Sequence, residues 1–347
     1  MASHDQVRAV LADAQRARVF PSAVAECGDS SHALWTAVVG TRTFDDGTPV
    51  NDQTPYDLAS LTKAIGTTTI AMSLAYASAL SLQERVASPI AEWQGKDRQG
   101  VTIADLLEHA SGLPARLVDR PPKSRREFEH DICMTRLEYV PRSRSIYSDL
   151  GFILFGFIAA DRGQASLADQ FAKLTPDPSL TYELPHDGKQ QAAPTVPLDE
   201  DSRRGRILVG EVHDNYAYAL GGVAGHAGLF GTAGAVGAFA RVVLSAARGA
   251  YHGAARFWTL TPRFVERSIV PGSSRALGWD TMLPTSSCGT RMSQSAFGHV
   301  GYTGTSLWID PARDRYYVLL TNRACGGGSL EAMRTVRRDF HDALADV

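Results

Sequence analysis

Segments with strand composition lie near both ends of this sequence, and segments with helical patterns lie between them. The strand-like segments are 22–27, 32–40, 276–281, 306–310 and 315–322. Apolar helical stretches occupy about 60–80, 151–161 and 232–247. This order lacks the strict strand–helix alternation of a parallel doubly wound sheet. It predicts an α+β fold whose antiparallel sheet is built from both chain ends and flanked by helices, with an all-helical lobe inserted.

Local patterns predict further helices. Apolar residues at helical spacing over 5–19 indicate an amphipathic first helix. Thr102 and Asp105 have the spacing of a capping box and predict the start of a short helix. Ser329 is placed to cap a final helix that carries Met333 and Phe340 on one face.

The chain is long enough for one large domain with two lobes. It has 347 residues, of which 44% are hydrophobic and 21% charged, so it can bury a sizeable core and disorder is excluded as its main state. We expect a single catalytic domain over 1–347, with a sheet lobe formed by about 1–60 and 230–347. The helical lobe would cover about 61–229 and include an irregular loop at 163–210.

Charge and cysteine content exclude several function classes. The net charge of −2 gives no basic footprint, which argues against nucleic acid as the main partner. No apolar run approaches the roughly 20 residues that span a bilayer, and the first residues lack the apolar core of a signal peptide. The four cysteines form no CxxC pair and predict reduced, mostly buried thiols. We expect a cytoplasmic protein, or a periplasmic one if a leader was removed.

The strongest chemical signal is Ser60-Leu61-Thr62-Lys63 at the predicted start of a long helix. A serine hydroxyl is a poor nucleophile until another group takes its proton. A lysine three residues later on a helix lies on the same face, so its amine can reach the hydroxyl. Apolar neighbours favour burial of Lys63, and a buried lysine loses proton affinity and can serve as a base. A capping serine followed by a surface lysine is the alternative interpretation.

Two other short motifs carry reactive side chains. Tyr147-Ser148-Asp149 precedes the apolar helix at 151, and a tyrosine beside a buried ammonium can have a lowered pKa and transfer protons. A helix N-cap with a packed tyrosine is the alternative. The glycine-rich segment 298–304, which contains His299 and Tyr302, lies between two predicted strands, where backbone N–H groups can bind an oxyanion. A β-turn with a surface histidine is the alternative there.

A fourth segment, 212–230, combines His213, Asp214 and His226 with several glycines. These three side chains could ligate a metal, although their spacing is irregular. We favour a tight, glycine-rich wall of the cleft, with His226 contacting substrate.

The motifs, in this order, resemble those of the serine β-lactamase and penicillin-binding-protein superfamily, in which S-x-x-K is a signature. The branch that they resemble holds the class C β-lactamases and related esterases, amidases and D,D-peptidases. The segment around His226 resembles a subset that includes some penicillin-binding proteins and muramyl-peptide amidases. The resemblance extends from about residue 20 to the C-terminus. The matching segments are 57–63, 106–114, 147–151 and 301–308.

The resemblance implies a role for each motif residue. Ser60 would be the acylated nucleophile and Lys63 its activating partner. Tyr147 would be the general base and later the acid for the leaving group. Asp149 stands where the related β-lactamases have asparagine, and would hold Lys63. The oxyanion hole would be formed by the backbone N–H groups of Ser60 and Tyr302.

The chain departs from the family pattern on one strand. His299 and Val300 replace the lysine and threonine that help bind a substrate carboxylate in the family. Their replacement predicts weak binding of carboxylates, unless an arginine from the run 203–206 supplies the charge. Gly301, Ser148 and His226 complete the expected substrate-binding residues.

The function predicted from these motifs is that of a serine hydrolase acting through a covalent acyl-enzyme on an ester or amide. A peptidoglycan-derived substrate, such as a muramyl peptide or D-amino-acid amide, is favoured. The alternatives are a carboxylesterase on small acyl esters, a weak β-lactamase or D,D-peptidase, and a penicillin-recognising binding or sensor protein. We expect a small-molecule substrate, no cofactor, no metal, no nucleic acid and no membrane span.

Overall fold

A six-stranded antiparallel sheet forms the centre of the computed structural model, which describes residues 2–118 and 122–344. The sheet order is β2-β1-β8-β7-β6-β5, and a separate two-stranded sheet pairs β3 with β4. The strands are β1 (Ser22–Gly28), β2 (Ala33–Gly40), β3 (Tyr56–Asp57), β4 (Phe230–Gly231), β5 (Asp280–Thr281), β6 (Phe297–Val300), β7 (Ser306–Asp310) and β8 (Arg315–Thr321).

Helices surround this sheet and form the middle of the chain. The α-helices are α1 (Ala2–Arg16), α2 (Thr68–Tyr76), α3 (Ile103–Leu107), α4 (Arg125–Met134), α5 (Asp149–Gly163), α6 (Leu167–Ala172), α7 (His186–Gln191), α8 (Asn215–Ala219), α9 (Ala233–Ala247), α10 (Thr261–Phe264) and α11 (Leu330–Leu344). A π-helix (Lys63–Thr67) leads directly into α2, and a 3₁₀-helix (Arg256–Leu260) precedes α10. No helix among the described residues is long and apolar enough to cross a membrane.

Strands from the two chain ends are direct neighbours in the sheet. β1 pairs antiparallel with β8, with Ala23 opposite Thr321, and β1 also pairs antiparallel with β2. One face of the sheet packs against α1 and α11, and the other packs against α9. Because both faces are covered, all seven residues of β1 are buried. The predicted α+β fold with a sheet built from both chain ends is confirmed.

Several local predictions are also confirmed. Thr102 and Asp105 form a capping box at the start of α3, and Ser329 accepts the Ala332 N–H at 3.1 Å at the start of α11. Met333 and Phe340 are fully buried against α1 and the sheet. The apolar stretch 151–161 lies within α5, in the core. The four cysteines are free and buried.

Three segments differ from the expectation. The helix expected to run to about residue 80 ends at Tyr76, and Ser78 takes a left-handed backbone (φ 57°) that stops it. Segment 276–281 forms only the short strand β5, because a turn with Gly278 at φ +83° occupies the rest. The loop expected at 163–210 contains α6 and α7. Buried Leu167 and Phe171 hold α6, whose first turn is capped by the Ser166 hydroxyl.

Candidate active site

A sharp turn after β3 exposes the Ser60 side chain at the start of the long helix. Asp57 fixes this turn, since its carboxylate accepts the Ala59 N–H at 2.8 Å and the His213 N–H at 2.6 Å. Ala59 adopts a left-handed backbone with φ +47°, a conformation that costs a non-glycine residue about 1–2 kcal/mol. Ser60 is partly exposed, whereas Lys63, one turn later, is fully buried.

The turn between β6 and β7 is attached to this same segment. Thr303 donates to the Asp57 carbonyl at 2.8 Å, and Thr305 donates to the Leu58 carbonyl at 3.0 Å. A Cβ on Gly301 would come within 2.6 Å of the Leu58 carbonyl oxygen, so only glycine permits the approach. These contacts position the Tyr302 backbone next to the Ser60 turn.

Lys63 uses its three N–H groups on three different parts of the chain. Its Nζ donates to Ser60 Oγ at 2.9 Å, to Asp149 Oδ1 at 2.8 Å and to the His226 carbonyl at 3.0 Å. Burial lowers the pKa of Lys63, but Asp149 and Tyr147 oppose it and the net pKa is raised. The expectation that burial makes this lysine a weaker base is therefore wrong, and Lys63 rests as an ammonium.

Tyr147 is the second side chain that contacts the serine hydroxyl. Its OH donates to Ser60 Oγ at 2.7 Å, and Lys63 Nζ lies 4.8 Å from its ring centroid. The Arg275 guanidinium lies 5.3 Å from the same centroid, and the His109 ring packs at 4.6 Å. Burial raises the pKa of Tyr147 by more than Lys63 lowers it. The prediction that the pKa of Tyr147 is lowered is therefore wrong, and the resting tyrosine is neutral.

Ser148 links Tyr147 to α5 by capping that helix. Its hydroxyl accepts the Gly151 N–H at 3.4 Å and donates to the Pro114 carbonyl at 2.6 Å. Its own N–H donates to His109 Nδ1 at 3.0 Å. Burial lowers the pKa of His109 well below its usual value, so this ring is neutral. Ser148 thus orients its neighbours rather than contacting the nucleophile.

Asp149 lies at the start of a larger network that the sequence patterns did not reveal. Arg116 reaches Asp149 Oδ2 at 3.4 Å and Asp214 Oδ2 at 3.0 Å. It also donates to Asn215 Oδ1 at 2.6 Å. His226 Nε2 contacts Asp214 Oδ1 at 2.7 Å, so its side chain faces this network. Arg116 follows the motif at 106–114 by two residues, but nothing in its local pattern marks it as functional.

His299 is buried, with 3% of its surface exposed. Burial lowers its pKa well below the usual range, and Lys63 and Arg275 lower it further, so the ring is neutral. Its Nδ1 is 2.9 Å from the Val300 carbonyl and therefore carries the proton, while Nε2 has no partner among the described residues. Strand β6 thus presents no fixed positive charge at positions 299 and 300.

Two backbone N–H groups beside the nucleophile are available for a substrate. Within residues 2–118 and 122–344, neither the Ser60 N–H nor the Tyr302 N–H donates to a protein acceptor. The Tyr302 side chain is 40% exposed and stacks on His213 at 5.3 Å. Arg323 holds this residue by donating to the Tyr302 carbonyl at 2.7 Å. The pair of free N–H groups has the chemistry of an oxyanion hole.

The three side chains that the sequence offered as metal ligands make other contacts. The His213 ring contacts the Val196 carbonyl at 3.1 Å, and Asp214 pairs with Arg116 and His226. Across the described part of the chain, no group of three or more His, Cys, Asp or Glu side chains could hold a metal ion.

Two of the three arginines in the run 203–206 are also engaged elsewhere. Arg203 is buried against Asp201 and Glu211, and Arg206 also pairs with Glu211. These two arginines therefore add no free charge to strand β6, and the arginine that the structure does bring to Tyr147 is Arg275.

A sequence model of the family described as Beta-lactamase matches residues 7–342. The chain belongs to this family. The putative D-alanyl-D-alanine carboxypeptidase of Escherichia coli K12 is 32% identical over 305 residues, covering 78% of this chain and 69% of that protein. The N-acetylmuramyl-L-alanine amidase of Bacillus subtilis 168 is 28% identical, covering 78% of this chain and 68% of that protein.

Solved structures of the β-lactamase family share the fold over nearly the whole chain. A class C β-lactamase from Rhodobacter sphaeroides has a TM-score of 0.75 at 18% identity, covering 97% of this chain and 98% of that one. EstCE1, a hydrolase with promiscuous acyltransferase activity, has a TM-score of 0.77 at 17% identity, covering 99% and 98%. The resemblance to the serine β-lactamase and penicillin-binding-protein superfamily is confirmed. The chain is therefore a serine hydrolase that acts on ester or amide bonds.

Proposed function

We propose that this β-lactamase-family protein forms an acyl-enzyme on Ser60 and cleaves an amide of a peptidoglycan-derived fragment, such as a muramyl peptide or D-amino-acid amide. One observation carries the chemistry: Ser60 Oγ receives hydrogen bonds from Lys63 Nζ at 2.9 Å and from Tyr147 OH at 2.7 Å. The free N–H groups of Ser60 and Tyr302 beside it support acyl transfer.

The protonation states support Tyr147 as the base. Lys63 rests as an ammonium and Tyr147 as a neutral phenol, because the pKa of each is raised. The reactive form has one proton fewer, and the Lys63 ammonium stabilises the Tyr147 phenolate in that form. As Ser60 Oγ bonds to the carbonyl carbon, its proton moves to the Tyr147 oxygen. The carbonyl oxygen takes the negative charge between the N–H groups of Ser60 and Tyr302.

Collapse of this intermediate completes acylation. The carbonyl reforms, the C–N bond breaks, and the Tyr147 hydroxyl gives its proton to the leaving nitrogen. The products are an amine and an ester on Ser60. A water molecule then attacks the ester, Tyr147 accepts the proton of that water, and the Ser60 oxygen leaves and is reprotonated.

The names of two relatives support the substrate class. The proteins from Escherichia coli and Bacillus subtilis are named for cleavage of D-alanyl-D-alanine and of N-acetylmuramyl-L-alanine. Both names describe amides of small peptidoglycan constituents. We propose the cytoplasm as the compartment, which the four separate free cysteines support.

The acyl-enzyme experiment uses intact mass spectrometry. The protein is incubated with muramyl peptides, D-alanyl-D-alanine peptides, β-lactams and p-nitrophenyl esters, and the attached mass is located by peptide mapping. The expected result is acylation of Ser60 and none in Ser60→Ala. Absence of any adduct, together with no labelling by a fluorophosphonate, would favour the binding or sensor function. Loss of activity in EDTA would favour a metal-dependent hydrolase.

A carboxylesterase is the second candidate, and the neutral strand β6 favours it. His299 is uncharged and Val300 has no hydroxyl, so a substrate carboxylate meets no fixed cation on this strand. Neutral esters and internal amides lose nothing by this change. A larger kcat/KM for p-nitrophenyl butyrate than for every muramyl peptide tested would decide for the esterase.

A further inference from the structure

Five residues behind the nucleophile form a closed ring of hydrogen bonds and ion pairs, which we name the charged ring. Its members are Lys63, Asp149, Arg116, Asp214 and His226. The ring closes because the His226 carbonyl accepts from Lys63 Nζ at 3.0 Å. Within the ring, Arg116 contacts the two carboxylates, Asp149 and Asp214, and it reaches Lys63 through Asp149.

Arg116 is one of two cations in the charged ring that pair with carboxylates. Lys63 and Arg116 are cations, and Asp149 and Asp214 are the carboxylates that they pair with. His226 and Arg116 hold the pKa of Asp214 well below its usual range against the opposing effect of burial. Because Lys63 has no exposed surface and Asp149 is nearly buried, water screens the interaction of these two charges weakly, whereas the Arg116 side chain is 36% exposed and its charge is screened more.

We propose that Arg116 is a positioning residue that offsets the negative charge of Asp149, so that the Asp149–Arg116 pair acts on Lys63 as a weaker acceptor than a lone carboxylate. The proposal rests on the proposed function, since it concerns the lysine that contacts Ser60.

The consequence for Ser60 follows from what an unbalanced Asp149 would do. A lone carboxylate 2.8 Å from Nζ would hold the ammonium more tightly and draw it away from Ser60 Oγ. It would also make loss of a proton from the Lys63–Tyr147 pair harder, because deprotonation would leave a negative charge close to a carboxylate that no cation offsets. Arg116 opposes both effects through its contact with Asp149 Oδ2.

Charged and titratable groups face Lys63 from every element around it. They are Tyr147 and Asp149 at the start of α5, Asp214 and His226 from segment 212–230, His109 after α3, His299 on β6, Arg116 and Arg275. His109 and His299 are neutral, since the pKa of each lies well below its usual value. Removal of Arg116 is therefore not compensated by either histidine.

Lysine NMR tests the proposal without turnover. The chain has five lysines, so ¹³C-lysine labelling gives few signals, and Lys63→Arg assigns the one of interest. In Arg116→Gln we expect the pKa of Lys63 to rise by about one unit, the low end of the effect of a nearby charge. Asp149→Asn in that background should return it to the wild-type value or below, and Arg116→Lys should stay near wild type.

The pH profile of single-turnover acylation is the second readout. In Arg116→Gln the profile should move to higher pH by the same amount, which lowers the rate at pH 7 about tenfold. The double variant with Asp149→Asn should recover most of that loss. The matched control is Arg125→Gln, which removes an exposed arginine paired with Asp161 and should leave the profile unchanged.

Two results would overturn the proposal. One is a Lys63 pKa that does not move in Arg116→Gln; the other is a shift that Asp149→Asn fails to reverse, which would mean a structural role only. Should Arg116→Gln not fold, Arg116→Met serves as the second variant, and it must raise the Lys63 pKa in the same direction. Wild-type protein that never acylates Ser60 would refute the proposed function, whereas the NMR result bears on Arg116 alone.

Discussion

Replacement of Tyr147 by phenylalanine isolates the contribution of one hydroxyl group. The hydroxyl donates to Ser60 Oγ at 2.7 Å and is the proposed acceptor of its proton. General acid–base catalysis contributes about 10²–10⁴-fold. We therefore expect Tyr147→Phe to lower the single-turnover acylation rate by a factor on the order of 10²–10⁴, or about 3–5 kcal/mol of activation free energy.

The fold should tolerate this change. The phenyl ring that remains can pack against His109, Arg275 and Lys63 as the Tyr147 ring does, and Tyr147 is only partly exposed. Removal of one hydrogen bond changes the free energy of unfolding by about 1 kcal/mol. The matched control is Tyr139→Phe, which removes a buried hydroxyl that donates to the His109 carbonyl at 2.8 Å and does not contact Ser60.

The assay is stopped-flow release of p-nitrophenol with enzyme in excess over a p-nitrophenyl ester, from pH 6 to pH 10. Tyr147→Phe should be slow at every pH and lose the rise of rate with pH, whereas Tyr139→Phe should keep the wild-type profile. An acylation rate in Tyr147→Phe equal to that of the wild type would remove Tyr147 from the mechanism. Equal losses in the two variants would point to a packing effect.

Three further outcomes follow from the same site. Ser60→Ala and Lys63→Ala should each remove most activity, with the double variant little worse than either, because residues that act as one unit are non-additive; fully additive losses in kcat/KM would make Lys63 a structural neighbour only. Because the pKa values of Lys63 and Tyr147 are both raised, the reactive form gains population as pH rises, so kcat/KM should increase about tenfold per pH unit below the apparent pKa; a profile that falls with pH would contradict the assignment of the base. Wild-type kcat/KM should be larger for p-nitrophenyl butyrate than for a chromogenic cephalosporin. The double substitution His299→Lys with Val300→Thr should reduce the ratio of these two kcat/KM values. Equal wild-type values would refute the interpretation that strand β6 binds carboxylates weakly.

Patterns among neighbouring residues predicted most of the helices and strands. The cap of α3, the amphipathic face of α11 and the apolar α5 depend on residues within a few positions of each other, so their periods and caps were readable. The sheet was predictable because its strands are separated into two groups at the chain ends. The prediction was less accurate where the local signals were weak. Segment 276–281 forms only the short strand β5, and the loop expected at 163–210 contains the helices α6 and α7.

The sequence by itself also determined the pairing of Ser60 with Lys63, because a spacing of three residues on a helix brings two side chains together. Only the tertiary structure decided what that pair can do. Asp149 and the His226 carbonyl reach Lys63 from positions 86 and 163 residues away. Arg116 contacts Asp149, although no local sequence pattern predicts that contact. Burial lowers the pKa of Lys63, and charged groups from distant segments raise it. The spacing of neighbouring residues does not predict which of these opposing effects is larger.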